Sequence, residues 1–184
     1  QMAAAFQLLN ARDLIWSRMM SEYLLGRRSK PSDLMAWNAD ATRMPARMHS
    51  QYLRHLFLND DLSEGHYPVN GKPVALNEID LPIFVVGTLT DHVAPWRSVY
   101  KLHHLTEAEL TFVLTSGGHN AGIVSPPGQG HRHFRAATAA PGQPYVAPQD
   151  WFDATPVTEG SWWPAWGQWL AERGGPRVKP PRLG

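Results

Sequence analysis

Two residues of this chain have the types and the placement of an acid–base pair. Asp91 lies in "TLTDHVAPW" (residues 88–96) and His119 in "TSGGHNAGI" (residues 115–123). Each follows a short apolar run, "IFVVG" before Asp91 and "LTFVLT" before His119. A carboxylate beside an imidazole fixes the ring tautomer. It also stabilises the imidazolium that forms when the ring takes a proton. Taken singly, each residue has a structural reading. His119 is then a histidine at a strand end, and Asp91 a turn residue or a cap for a helix starting near Pro95. Their matching positions in one strand–helix–strand unit favour chemistry over both. His92, next to Asp91, either points into such a site or covers the sheet edge. Asn120 puts a polar group beside the base.

The elements that must hold this pair are legible in the apolar pattern. Continuous β-branched and aromatic runs predict strands buried on both faces, as in a parallel sheet. "PWRSVYKLHHL" (residues 95–105) between them predicts a helix. Ten helical residues span about 15 Å, enough to return along a short strand. A right-handed crossover brings both loops to the carboxyl edge of the sheet, where ligands and catalytic groups gather in open α/β folds. Adjacent strands lie about 4.8 Å apart, within reach of a short carboxylate and a ring. Gly117 and Gly118 are expected to let the backbone turn tightly before His119.

Elsewhere, "DLIWSRMMSEYLLG" (residues 13–26) predicts an amphipathic helix capped by Asp13 and stopped at Gly26. Residues 32–45 read as a second helical or mixed stretch. Residues 45–59 read as a third helix, with Pro45 in its first turn. Asn70-Gly71 predicts a hairpin between strands at residues 67–69 and 73–76. The Gly-, Pro- and Ala-rich stretch from 125 to 149 reads as a long, partly mobile loop. A short helix is expected at 150–154, and a last helix from a Ser161 cap to Arg173, followed by a tail. Trp162, Trp163, Trp166 and Trp169 space well on that helix. Core packing is the default reading and an exposed aromatic patch the alternative.

Bulk properties narrow the function. Among 184 residues the net charge is +1, which makes no electrostatic case for nucleic acid. No apolar run approaches the ~20 residues of a membrane helix, and the start does not read as a signal peptide. The chain has no cysteine. Disulfides, thiolate metal sites and a cysteine nucleophile within it are excluded, and a cytoplasmic location fits. No G-x-S-x-G or G-x-C-x-G elbow occurs, and Ser116 is too near His119 to serve as one. His131 and His133 sit in a loop without acidic neighbours, and His103 and His104 cannot share a helix face; no metal site is assigned. Arg27, Arg28 and Lys30 read as a solvated basic turn. The chain thus holds an acid and a base without a nucleophile. It starts at Gln1, not Met, which reads as a segment of a longer protein.

The stretches "DLIWSRMMSEYLLG", "YLRHLFLND", "DLPIFVVGTLTDHVAPW", "FVLTSGGHNAGIVSPPG" and "GSWWPAWGQWLAERGG" occur in that order. Together they resemble the C-terminal half of the catalytic domain of polyhydroxyalkanoate synthases, nearest the class I, polyhydroxybutyrate-type enzymes. The resemblance implies an α/β fold, the C-terminal part of an α/β-hydrolase core preceded by helical cap segments. Residues 1–65 would be the later part of the cap, 66–175 the core and 176–184 a tail. It implies a Cys–His–Asp triad in which Asp91 is the acid and His119 the base. The cysteine would lie upstream of this chain, and the segment alone would be inactive. The implied activity is acyl transfer from (R)-3-hydroxyacyl-CoA to a growing polyester with release of coenzyme A. No cofactor is needed beyond the coenzyme A of the substrate. A cytoplasmic homodimer at the polymer granule surface is implied as well. Many relatives carry Ile where this chain has Asn120. Two other readings compete: a fragment of an esterase or polyester depolymerase with an upstream serine, and a non-catalytic granule- or partner-binding domain.

Overall fold

The computed structural model describes residues 15–27, 33, 36–37, 40, 43–176 and 178–180. They fall in two compact units, residues 1–49 and 50–184. Asp13, most of the stretch 32–45, Arg28 and Lys30 lie outside the described residues.

In the first unit, α1 (Ser17–Met19) continues into a wider turn at Met20–Leu24, closed by Leu25 N–H donating to the Met20 carbonyl at 3.1 Å. Gly26 ends it with φ +64°, the left-handed backbone that favours glycine after a helix. Helix α2 spans Ala46–Tyr52, across the division at residues 49 and 50. In the second unit the helix continues as wide turns over Leu53–Leu58, and Asn59 N–H donates to the Arg54 carbonyl at 3.0 Å.

The second unit has a hairpin and a mixed sheet. Strands β1 (Tyr67–Val69) and β2 (Lys72–Val74) pair antiparallel around Asn70 and Gly71. Both turn residues have positive φ, as the tight hairpin turn demands. The sheet runs in the order β3-β4-β5-β6. Strands β3 (Ile83–Thr88) and β4 (Leu110–Thr115) are parallel, in register from Ile83 opposite Leu110 to Thr88 opposite Thr115. Helix α3 (Trp96–Tyr100) and a tight turn at Lys101–His104 connect them. Helix α4 spans Pro148–Ala154 and α5 spans Trp163–Arg173.

Alternation along the strands builds two cores. Leu110, Phe112 and Leu114 face one side with Ile83 and Val85, and pack with Trp96 and Tyr100 of α3 and Trp151 of α4. Val113 faces the other side with Phe84 and Val86, and packs with Phe134, Trp162 and Trp163. Both faces are therefore covered, and every residue of β4 is buried. This accounts for the absence of charged residues from that strand, whose Thr111 and Thr115 are buried as well.

The stretch 125–149 is not one long loop. His133–Ala139 forms β5, antiparallel to β4 from Leu110 opposite Ala139 to Thr115 opposite Phe134. Its alanines carry weak strand propensity and its one aromatic gives no period. The pairing is set by β4, whose outer backbone groups need partners inside the fold. Thr111 and Thr138 add a cross-strand hydroxyl hydrogen bond at 2.9 Å. Strand β6 (Thr158–Glu159) extends the sheet beyond β5. Among the described residues β3 has no partner on its far side, and no helix is long and apolar enough to cross a membrane.

The tryptophan group divides by position. Trp162 is buried, and Trp169 meets Phe84 edge-on, whereas Trp166 is exposed.

Candidate active site

Strands β3 and β4 end side by side, and their ladder runs on into the loops. Leu89 N–H donates to the Thr115 carbonyl at 2.9 Å and Thr90 N–H to the Gly117 carbonyl at 3.1 Å. The two loops therefore leave the sheet clamped together. Across this clamp Asp91 and His119 meet. His119 Nδ1 lies 2.9 Å from Asp91 Oδ2 and 3.2 Å from Oδ1.

The carboxylate is held from several directions. Its Oδ1 accepts from Val93 N–H at 2.8 Å and Ala94 N–H at 2.9 Å, and its Oδ2 from the Thr88 hydroxyl at 3.2 Å. Asp91 thus caps the turn before α3 and also holds the ring; the two readings of this residue are compatible. Burial pushes its pKa up. The N–H of Ala94, the His119 ring and the N–H of Val93 outweigh burial and hold the carboxyl well below the usual carboxylate range. An ionised carboxylate only accepts. His119 Nδ1 must therefore carry the hydrogen and donate it, which leaves Nε2 of the neutral ring with its lone pair. The Asp91 side chain is 7% exposed and that of His119 is 45% exposed. The ring is thus tethered at Nδ1, on a side chain that remains nearly half exposed. Such a ring can accept a proton from a nucleophile and return it to a leaving group.

Two supporting residues escaped the sequence reading. Thr88, at the last position of β3, is 2% exposed and orients the carboxylate. Gly122 closes the turn that carries His119, its N–H donating to the Gly118 carbonyl at 2.9 Å. A Cβ on Gly122 would lie 2.6 Å from Thr88 Cγ2, so only glycine lets the base loop approach the end of β3 this closely. The available signal was the third glycine of "GGHNAG". Of the two glycines expected to make the turn, Gly117 has φ +102°, and a Cβ there would meet Arg132 Nη1 at 2.7 Å. At Gly118 a Cβ would sit 3.7 Å from its nearest neighbours, ordinary contact, so the steric demand falls on Gly117 and Gly122.

His92 lies on the acid loop, exposed to solvent. Asn120 is half-buried, and its carbonyl accepts from Val124 N–H at 2.9 Å within the base loop. His133 begins β5 and exchanges hydrogen bonds with Ser116, away from the pair. His103 stacks on Tyr100 at 4.1 Å and His104 on Tyr145 at 3.9 Å. Among the described residues no three His, Asp or Glu side chains group as a metal site.

No protein-family model matches the chain. It is 40% identical over 179 residues to the poly(3-hydroxyalkanoate) polymerase of Methylorubrum extorquens, covering 97% of this chain and 29% of that protein. It is 39% identical over 170 residues to the poly(3-hydroxyalkanoate) polymerase subunit PhaC of Rhizobium meliloti, with 92% and 27% covered. It is 37% identical over 186 residues to the corresponding subunit of Cupriavidus necator, with 100% and 31% covered. Over nearly its whole length the chain is similar to poly(3-hydroxyalkanoate) polymerases, and it spans about three tenths of the length of the curated relatives it matches.

Proposed function

We propose that this chain is the C-terminal part of the catalytic domain of a polyhydroxyalkanoate synthase, an acyltransferase with an α/β-hydrolase fold. In this reading His119 is the general base and Asp91 its orienting acid, and residues outside the chain supply a cysteine nucleophile. Residues 1–65 belong to the cap, 66–175 to the core and 176–184 to a tail. The observation that carries the reading is the His119–Asp91 contact at 2.9 Å, on a ring whose side chain is 45% exposed. The parallel β3–β4 pair and the similarity to named polymerases support it.

The chemistry follows from the tautomer. Nε2 takes the thiol proton, and the thiolate sulfur attacks the thioester carbonyl of a (R)-3-hydroxyacyl-CoA. The bond to the coenzyme A sulfur breaks, and the imidazolium returns the proton to that sulfur. The same nitrogen then takes the proton of an incoming 3-hydroxyl, whose oxygen attacks the enzyme thioester. An ester bond forms, and the cysteine sulfur leaves and is reprotonated. Asp91 keeps its charge throughout, oriented toward the imidazolium at each stage. No cofactor enters these steps beyond the coenzyme A of the substrate. A homodimer at the surface of a cytoplasmic polymer granule belongs to the same reading.

The test is His119→Gln in the polymerase that carries this segment, assayed for coenzyme A release from (R)-3-hydroxybutyryl-CoA. A loss on the order of 10³-fold or more in kcat is expected. Retention of more than a tenth of the wild-type rate would rule out His119 as the base.

A further inference from the structure

The loop that carries His119 has no regular secondary structure of its own, yet three consecutive residues at the start of α5 reach into it. Trp162 Nε1 donates to the Gly122 carbonyl at 3.1 Å, and Trp163 Nε1 to the Ile123 carbonyl at 3.0 Å. The Ser161 hydroxyl donates to the Ser125 carbonyl, while its oxygen accepts the N–H of Trp163 at 3.1 Å. Trp162 is 6% exposed and stacks on Phe84 of β3, so its ring is fixed in the core before its N–H points outward to the loop. Gly122 is also the residue pressed against Thr88, which in turn donates to Asp91. A continuous line of contacts therefore runs from Trp162 through Gly122 and Thr88 to the carboxylate, and through the Gly118–Gly122 turn to the imidazole.

We infer that Trp162 and Trp163 are positioning residues for the base: their indole N–H groups set the height of the His119 turn over Asp91. Apolar packing alone calls for aromatic rings here, not for two indole donors aimed at carbonyls of one loop. The Gly122 carbonyl is buried and would carry an uncompensated cost without its donor, so the turn is drawn toward Trp162, while Trp163 adds a second, exposed anchor at Ile123. A shift of the turn by a fraction of an ångström moves the ring off the carboxylate and off the reacting atom. The catalytic consequence rests on the proposed role of His119; the geometric consequence does not.

The experiment uses the polymerase carrying this segment with Trp162→Phe, which keeps an apolar ring on Phe84 and removes the donor. Trp163→Phe, at a more exposed position, is the second variant. Two quantities are read: kcat and KM for (R)-3-hydroxybutyryl-CoA, and the proton NMR signal of His119 Nδ1–H, identified by its loss in His119→Gln. Each variant should lower kcat by about tenfold or more with KM nearly unchanged, and should shift or broaden the Nδ1–H signal. If Trp162→Phe fails to fold, Trp163→Phe alone decides. A folded variant with wild-type kcat and an unmoved signal, even with a lower melting temperature, would overturn the inference. If His119→Gln stays active while the tryptophan variants move the signal, the proposed function falls and the positioning role stands.

Discussion

Asp91 and His119 end neighbouring strands of one parallel pair, but the first is closed in and the second is left open. The carboxylate is wrapped by two backbone N–H groups of its own loop, the hydroxyl of Thr88 at the end of β3 and the His119 ring. The base loop leaves nearly half of the His119 side chain exposed and holds it through its backbone and one nitrogen. The acid loop is a fixed reference, whose charge is set by donors that do not depend on the substrate. The base loop is an adjustable arm, whose position is borrowed from Gly122 and from the elements packed against it. Disturbing the acid should therefore remove the function of the site, whereas disturbing the arm should detune it.

The largest effect is expected from Asp91→Asn. The amide offers a donor where Nδ1–H needs an acceptor, and the ring is driven to the wrong tautomer. By the behaviour of such triads, kcat for coenzyme A release should fall on the order of 10³–10⁴-fold with little change in KM. A loss below tenfold would mean that the carboxylate does no more than cap the turn.

Gly122→Ala should come next, measured against Gly118→Ala. The new Cβ at Gly122 meets Thr88 at 2.6 Å, while at Gly118 it meets nothing closer than 3.7 Å. The first should cost about 1–3 kcal/mol in stability and about 10²-fold in kcat through a displaced ring. The second should lie near wild type in both. Equal effects from the two would break the contrast between a required and a permissive glycine.

Much of this contrast was readable from residue order, and the unread part has a physical cause. The β3–α3–β4 unit was legible because its strands are runs of apolar and β-branched residues without a charge, the mark of a strand covered on both faces. That unit places Asp91 and His119 at one edge. Strand β5 was not legible, since "FRAATA" takes its strand form from hydrogen bonding to β4 and not from its own side chains. Thr88 read as the ordinary end of a strand, and Gly122 as one more loop glycine. Their roles arise from the approach of the base loop to the end of β3, between residues 34 positions apart, a distance that local pattern does not span.

Smaller effects sharpen the picture of the acid loop. Thr88→Val keeps the shape that Gly122 packs against and removes one donor to Asp91. A loss of about 1 kcal/mol in stability and severalfold in kcat is expected; a larger drop than that of Gly122→Ala would reverse the assigned order.

The smallest effect is on acid stability. The folded carboxyl of Asp91 titrates below its ordinary 3.8 because bonds to Ala94, His119 and Val93 outweigh the opposing effect of burial. Its stabilisation is therefore fully present above the ordinary value and is lost as pH falls from there toward the lower folded value. Unfolding followed from pH 7 to pH 3 should show a shallower acid decline in Asp91→Asn than in wild type. Parallel curves would contradict the direction of the shift. Tyr100 gives the alkaline counterpart. Burial first, then the neighbouring Tyr145, push its phenol up to about 12 from 10.0, so stability should decline as pH rises between these values and Tyr100→Phe should blunt the decline.

The central claim is that Asp91 acts through His119, as one unit of acyl-transfer chemistry. A double-mutant cycle on kcat for coenzyme A release tests it most directly, with Asp91→Asn, His119→Gln and both changes together in the polymerase carrying this segment. If the account holds, the double variant releases coenzyme A within about threefold of the rate of His119→Gln alone, because the acid has nothing left to orient. If the two losses instead multiply, the carboxylate and the imidazole work independently, and the pairing drawn from their 2.9 Å contact is not the basis of the activity.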